Sequence, residues 1–152
     1  MRVDYGKVYP EAIKAMLGLE EAVHASSLEP ELLELVKIRS SQINGCGYCL
    51  DMHTKDATAM GVTAQRQHVL AAWEEAPFYS PRERAALAWC EALTLLPASG
   101  APDEAYEQVA SEFSPEEVVA LTLAVIAING WNRLAVGLRS PVGSYQRQSP
   151  PT

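Results

Sequence analysis

At 152 residues, with 48% hydrophobic residues and a mean hydropathy of -0.05, the chain is long enough for one domain with a substantial core. Nineteen acidic against twelve basic residues give a formal charge of -7 and a pI near 4.9, which argues against nucleic acid and against an anionic membrane as partners. The opening MRVDYGKVYP lacks the apolar core of a secretory signal, and the apolar run from Val118 to Ile128 is about half of what a membrane helix needs, so a cytoplasmic location is expected.

In chain order, Pro10 opens a first helix, with Ala12, Ile13, Met16, Leu17, Leu19 and Val23 recurring at helical spacing. A second begins near Pro30, carries Leu32, Leu33, Leu35, Val36 and Ile38, and ends at Asn44-Gly45. Glu34 lies on a flank of its apolar stripe. The third carries Cys46 and Cys49, turns Leu50, Met52, Ala57 and Met60 inward, and stops at Gly61, which suits a left-handed cap. Thr63 caps a fourth over TAQRQHVLAAWEE, ended by Ala76-Pro77. Ser80-Pro81-Arg82-Glu83 and Ser114-Pro115-Glu116-Glu117 are capping boxes with proline at the first helical position. The first opens the helix bearing Cys90, the second opens VVALTLAVIAINGWNRLAVGL, and Pro102 to Phe113 forms a shorter amphipathic helix between them. The last helix is apolar nearly all round from Val118 to Ile128 and belongs in the core or between subunits.

The fold class is therefore all-α, with about six or seven helices in one domain over residues 1–142 and no segment alternating with period two. A thioredoxin fold lacks its strands here. The Ser/Pro/Gln-rich end, 143–152, is expected to be disordered.

Chemistry concentrates between Glu34 and His53. Cys46 and Cys49 form a Cys-x-x-Cys pair at a helix start, where unpaired N–H groups and the helix dipole favour thiolate over thiol. His53 follows Cys49 by four residues, so all three side chains share a helix face. Structural zinc on Cys46, Cys49, His53 and Glu34 is the rival to redox chemistry, but such sites usually gather four Cys/His ligands. Glu34 alone reads as an ordinary surface carboxylate. Buried beside the thiols, its pKa would rise toward neutrality and make it a proton acceptor. Cys90 reads as a small core residue.

Glu34, Cys46-Gly47-Tyr48-Cys49 and His53, in the pattern Glu-x11-Cys-x-x-Cys-x3-His, together with Asn129-Gly130-Trp131-Asn132-Arg133, resemble the AhpD-like alkylhydroperoxidases of the carboxymuconolactone decarboxylase superfamily. The resemblance covers roughly residues 10 to 138 and implies an AhpD-like helical fold. It implies a thiol-dependent peroxidase that reduces hydroperoxides through the cysteine pair in an antioxidant role. Cys49, deeper and nearer His53, would be the attacking thiolate and Cys46, nearer solvent, the resolving one; spacing alone leaves these roles interchangeable. Glu34 and His53 would move the proton. Tyr48 stands where some relatives carry a histidine and either orients a peroxide or water or packs on a neighbour. Asn129, Trp131, Asn132 and Arg133 either line the substrate pocket or a subunit contact, or satisfy buried helix ends. The implied partners are a thiol, lipoyl or thioredoxin-like reductant, a peroxiredoxin, and further copies of the chain in a trimer or hexamer. No metal or organic cofactor is expected. A disulfide reductase and a lactone decarboxylase remain the alternatives.

Overall fold

A computed structural model describes residues 1–147 of the chain. Nine α-helices and one 3-10 turn make up its elements, and there is no strand among the described residues. They are α1 (Tyr5–Val8), α2 (Pro10–His24), α3 (Pro30–Asn44), α4 (Gly47–Ala59), α5 (Ala64–Val69), the turn Leu70–Ala72, α6 (Pro81–Thr94), α7 (Leu96–Ser99), α8 (Asp103–Glu112) and α9 (Pro115–Leu138). The helix starts follow the sequence signals. Proline occupies the first turn of α2, α3, α6 and α9, and both expected capping boxes form, with Ser80 and Glu83, and Ser114 and Glu117, satisfying each other's backbone N–H groups. α5 is shorter than expected, because the chain tightens into the 3-10 turn after Val69.

The organising element is α3. Every residue from Leu32 to Ile38 is buried, so α3 is covered on all sides rather than along one stripe. α4, α6 and α9 pack directly on it. Leu32, Leu33 and Val36 meet Ala86, Trp89 and Cys90 of α6 and Leu121 and Val125 of α9 in one apolar cluster. Leu35 and Ile38 face a second cluster with Ala57, Val62, Leu70, Trp73 and Leu87. Each large aliphatic side chain so buried contributes roughly 1.5–3 kcal/mol to folding. α2 closes on α9 at Gly130, where an added Cβ would lie 2.9 Å from Cε of Met16.

At 24 residues α9 is longer than its apolar run suggests and is long and apolar enough to cross a membrane, yet half of its apolar stretch is buried against the bundle, where α9 acts as a core helix. Val119 and Ile126 lie on its exposed side. Of the segment expected to be disordered, residues 143–147 run back along α4: Tyr145 Oη donates to Asp56 at 2.9 Å and Lys55 Nζ donates to the Tyr145 carbonyl at 3.0 Å. The remainder, 148–152, lies outside the described residues.

Candidate active site

Gly45 ends α3 in the left-handed conformation at φ 66°, which turns the chain so that Cys46 becomes the N-cap of α4. Its sulfur accepts the backbone N–H of Cys49 at 3.3 Å, doing the work usually given to a serine or aspartate oxygen. The two cysteines are joined as a disulfide, with Cα atoms 5.4 Å apart. Both are buried, Cys46 at 1% exposure and Cys49 at 3%, packed on Ile128 and Ala135 of α9. Cys46 is thus no nearer solvent than Cys49, contrary to the expectation from the family resemblance, because α9 and the segment after it cover the start of α4.

Cys49 lines a cavity of about 440 Å³ between α2, α3, α4 and α9. Glu34 and His53 share that cavity, and His53 Nδ1 lies 2.8 Å from Glu34 Oε2. Burial by itself would raise the Glu34 pKa, but the hydrogen bond from the His53 ring and the positive charge of Lys37 hold the carboxyl below its ordinary value of 4.5. The expected rise toward neutrality therefore does not occur. An ionised Glu34 fixes the tautomer: Nδ1–H donates to it, and Nε2 is left to accept a proton. Glu34 thus orients the His53 ring.

Lys37 was not anticipated. It is 2% exposed, donates to Glu20 Oε2 at 2.9 Å and to His24 Nε2 at 2.8 Å, and lies 3.9 Å from Glu34 Oε1. His24 is held neutral by burial and by this ammonium, both of which lower its pKa. The sequence did carry a signal: Lys37 sits one turn after Glu34 inside the otherwise apolar LLELVKI, a position where a lysine is buried only if paired. Asp56, one turn beyond His53, also joins the cavity wall, with Leu17, Met52 and Tyr5.

Of the other expected residues, Trp131 and Tyr48 line the cavity, and the Tyr48 phenol is pushed up in pKa by burial and by the neighbouring Tyr5 and Asp51, so it stays a neutral hydroxyl able to donate a hydrogen bond. Asn129, Asn132 and Arg133 are not among the cavity-lining residues. Asn44 Nδ2 donates to Asn129 Oδ1 at 3.0 Å and Asn132 Oδ1 at 2.9 Å, Asn132 Nδ2 donates to Ser41 Oγ at 3.1 Å, and Arg133 reaches back to Asn129. These amides tie the end of α3 to α9. Cys90 is fully buried beside Ser40 Oγ at 3.0 Å, and burial pushes its thiol up to about 11.

The ligand atoms of Glu34, His53 and Asp56 lie within 4.8 Å of one another, as a cation site would require. Both Glu34 oxygens already have partners, however, one the His53 ring N–H and the other the Lys37 ammonium. The four residues considered for zinc do not converge either, since the cysteines bond to each other and only Cys49 lines the cavity.

Residues 10–92 match the sequence profile of the carboxymuconolactone decarboxylase family. YdfG of Bacillus subtilis, an uncharacterized protein, is 44% identical over 94% of this chain and 97% of its own length. Among solved structures, a protein of unknown function from Agrobacterium tumefaciens, suggested to be the antioxidant defence protein AhpD, superposes with a TM-score of 0.91 at 44% identity, covering 95% of this chain and 99% of that one. The debrominase Bmp8 superposes with a TM-score of 0.80 at 25% identity, over 89% of this chain and 73% of its own. The chain belongs to the carboxymuconolactone decarboxylase family and has the AhpD-like fold.

Proposed function

We propose that the protein is a thiol peroxidase that reduces organic hydroperoxides through Cys49 and Cys46. The observation that carries this reading is the cavity lined jointly by Cys49, His53 and the ionised Glu34. In the reduced protein His53 Nε2 takes the Cys49 proton. The thiolate attacks the distal peroxide oxygen, the O–O bond breaks, and the alkoxide leaves with the proton held on His53 as an alcohol. Cys49 is then a sulfenic acid. The Cys46 thiol condenses with it, forming the disulfide and releasing water. An external dithiol reduces the disulfide and leaves oxidised itself. Leu17, Met52 and Trp131 give the cavity an apolar wall, while Glu20, Glu34 and Asp56 repel anions, which favours an uncharged organic hydroperoxide. The exposed apolar side chains Val119 and Ile126 on α9 favour self-association into the expected trimer or hexamer, which light scattering would measure.

The test is consumption of cumene hydroperoxide by reduced protein with dithiothreitol as donor, with free thiols counted. Two thiols should vanish per peroxide in the wild type, and turnover should cease in Cys49→Ser and Cys46→Ser. Reversible oxidation of the pair with negligible peroxide turnover would point instead to disulfide exchange with another protein. Stoichiometric zinc with inert thiols would overturn both.

A further inference from the structure

The two cysteines of the pair line different cavities. Cys49 lines the large cavity with Glu34 and His53, whereas Cys46 lines a separate one of about 200 Å³ on the far side of the α4 start. Tyr48 and Ala135 line both and form the wall between them. The smaller cavity is roofed by the segment following α9. Arg139, in the left-handed conformation at φ 59°, reverses the chain, and the buried Ser140 is pinned by its N–H to the Ala135 carbonyl at 2.9 Å and by Tyr5 Oη at 3.3 Å from its hydroxyl. Beyond it Tyr145 is tied to Asp56. Between these two anchors Val142, 65% exposed, crosses over Gly47, close enough that a Cβ on Gly47 would lie 3.1 Å from Val142 Cγ2. The absence of a side chain at Gly47 leaves room for Val142, which is the solvent-facing part of this roof.

We infer that oxidant and reductant reach the pair by different entrances: the hydroperoxide through the large cavity to Cys49, and a slender aliphatic dithiol under Val142 to Cys46. This rests on the redox reading proposed above. A thiolate of the donor attacks the Cys46 sulfur, the Cys46–Cys49 bond breaks, and Cys49 leaves as a thiolate into the cavity that holds His53. The donor's second thiolate then attacks its own sulfur in the mixed disulfide. The donor departs as a disulfide, and Cys46 leaves as a thiolate that accepts the Cys49 N–H. Both protein thiols are regenerated with no further reactant. Because Cys46 is 1% exposed, a thiol set in a flat protein face does not reach it.

The two half-reactions separate the claims. Protein oxidised with diamide is mixed with dithiothreitol, and reduced protein is mixed with cumene hydroperoxide; free thiols are counted over time in each. Val142→Trp, which fills the small cavity, should slow reduction by about tenfold or more while leaving oxidation within roughly twofold, and Val142→Ala should speed reduction. Leu17→Trp, at the rim of the large cavity, should do the reverse, slowing oxidation alone. Equal effects of Val142→Trp on both steps, or no effect of either Val142 variant on reduction, would overturn the separate entrance. If cumene hydroperoxide oxidises no form of the protein, the peroxidase reading fails by itself, and the diamide and dithiothreitol arm still decides the entrance.

Discussion

Replacing Lys37 by methionine would leave Glu20 and Glu34 without the ammonium that lies between them. Uncompensated buried charge costs about 3–5 kcal/mol, so Lys37→Met should lower unfolding stability in urea by that order, and a loss under about 1 kcal/mol would show the network to be no stronger than a surface pair. Glu34 makes a pH-dependent contribution of definite sign. Its folded pKa lies below 4.5, so the folded protein binds fewer protons than the unfolded one in that window. The stability it supplies is complete above pH 4.5 and is lost as pH falls through the lower folded value. Glu34→Gln should flatten this part of the melting-temperature profile and reduce peroxidase turnover by about 10²-fold. The spacing from Glu34 to His53 was readable in the sequence. The ionisation state was not, because it depends on the hydrogen bond from His53 and on the Lys37 ammonium, whose burial follows from the packing around α3.

At the scale of the element, α4 shows how a cysteine serves both chemistry and helix formation. The Cys46 sulfur is the N-cap acceptor, so in the reduced protein Cys46→Ser should retain the cap, while Cys46→Ala should cost about 1 kcal/mol. Urea midpoints measured under dithiothreitol would check the difference, and equal midpoints would show that the cap carries no stability. The long helices were legible because proline, serine and glycine mark their ends: Pro10, Pro30, Ser80, Ser114 and Gly45 all stand where the structure uses them. α1 and α7 were not, since four residues are too few to show a period. The partners of Asn129 and Asn132 lie on α3 and α6, which a linear motif cannot display.

For the whole molecule, the burial of α3 on every side explains why a chain of modest size can hold a charged network and a disulfide in its interior. Carboxylate and ammonium are carried on a helix whose neighbours supply the counter-charges, and the cysteines sit where α4 leaves it. Cys90, in the same interior, should remain inert: reduced folded protein should expose only Cys46 and Cys49 to iodoacetamide at neutral pH, with Cys90 reacting after denaturation. The large cavity should direct peroxide to Cys49 alone. The most direct measurement is dimedone trapping followed by peptide mass spectrometry, applied to reduced Cys46→Ser and Cys49→Ser after one equivalent of cumene hydroperoxide. Labelled sulfenic acid on Cys49 in the first variant, with none on Cys46 in the second, is the predicted result. Label on Cys46 in Cys49→Ser with Cys49 unmodified in Cys46→Ser would contradict the account.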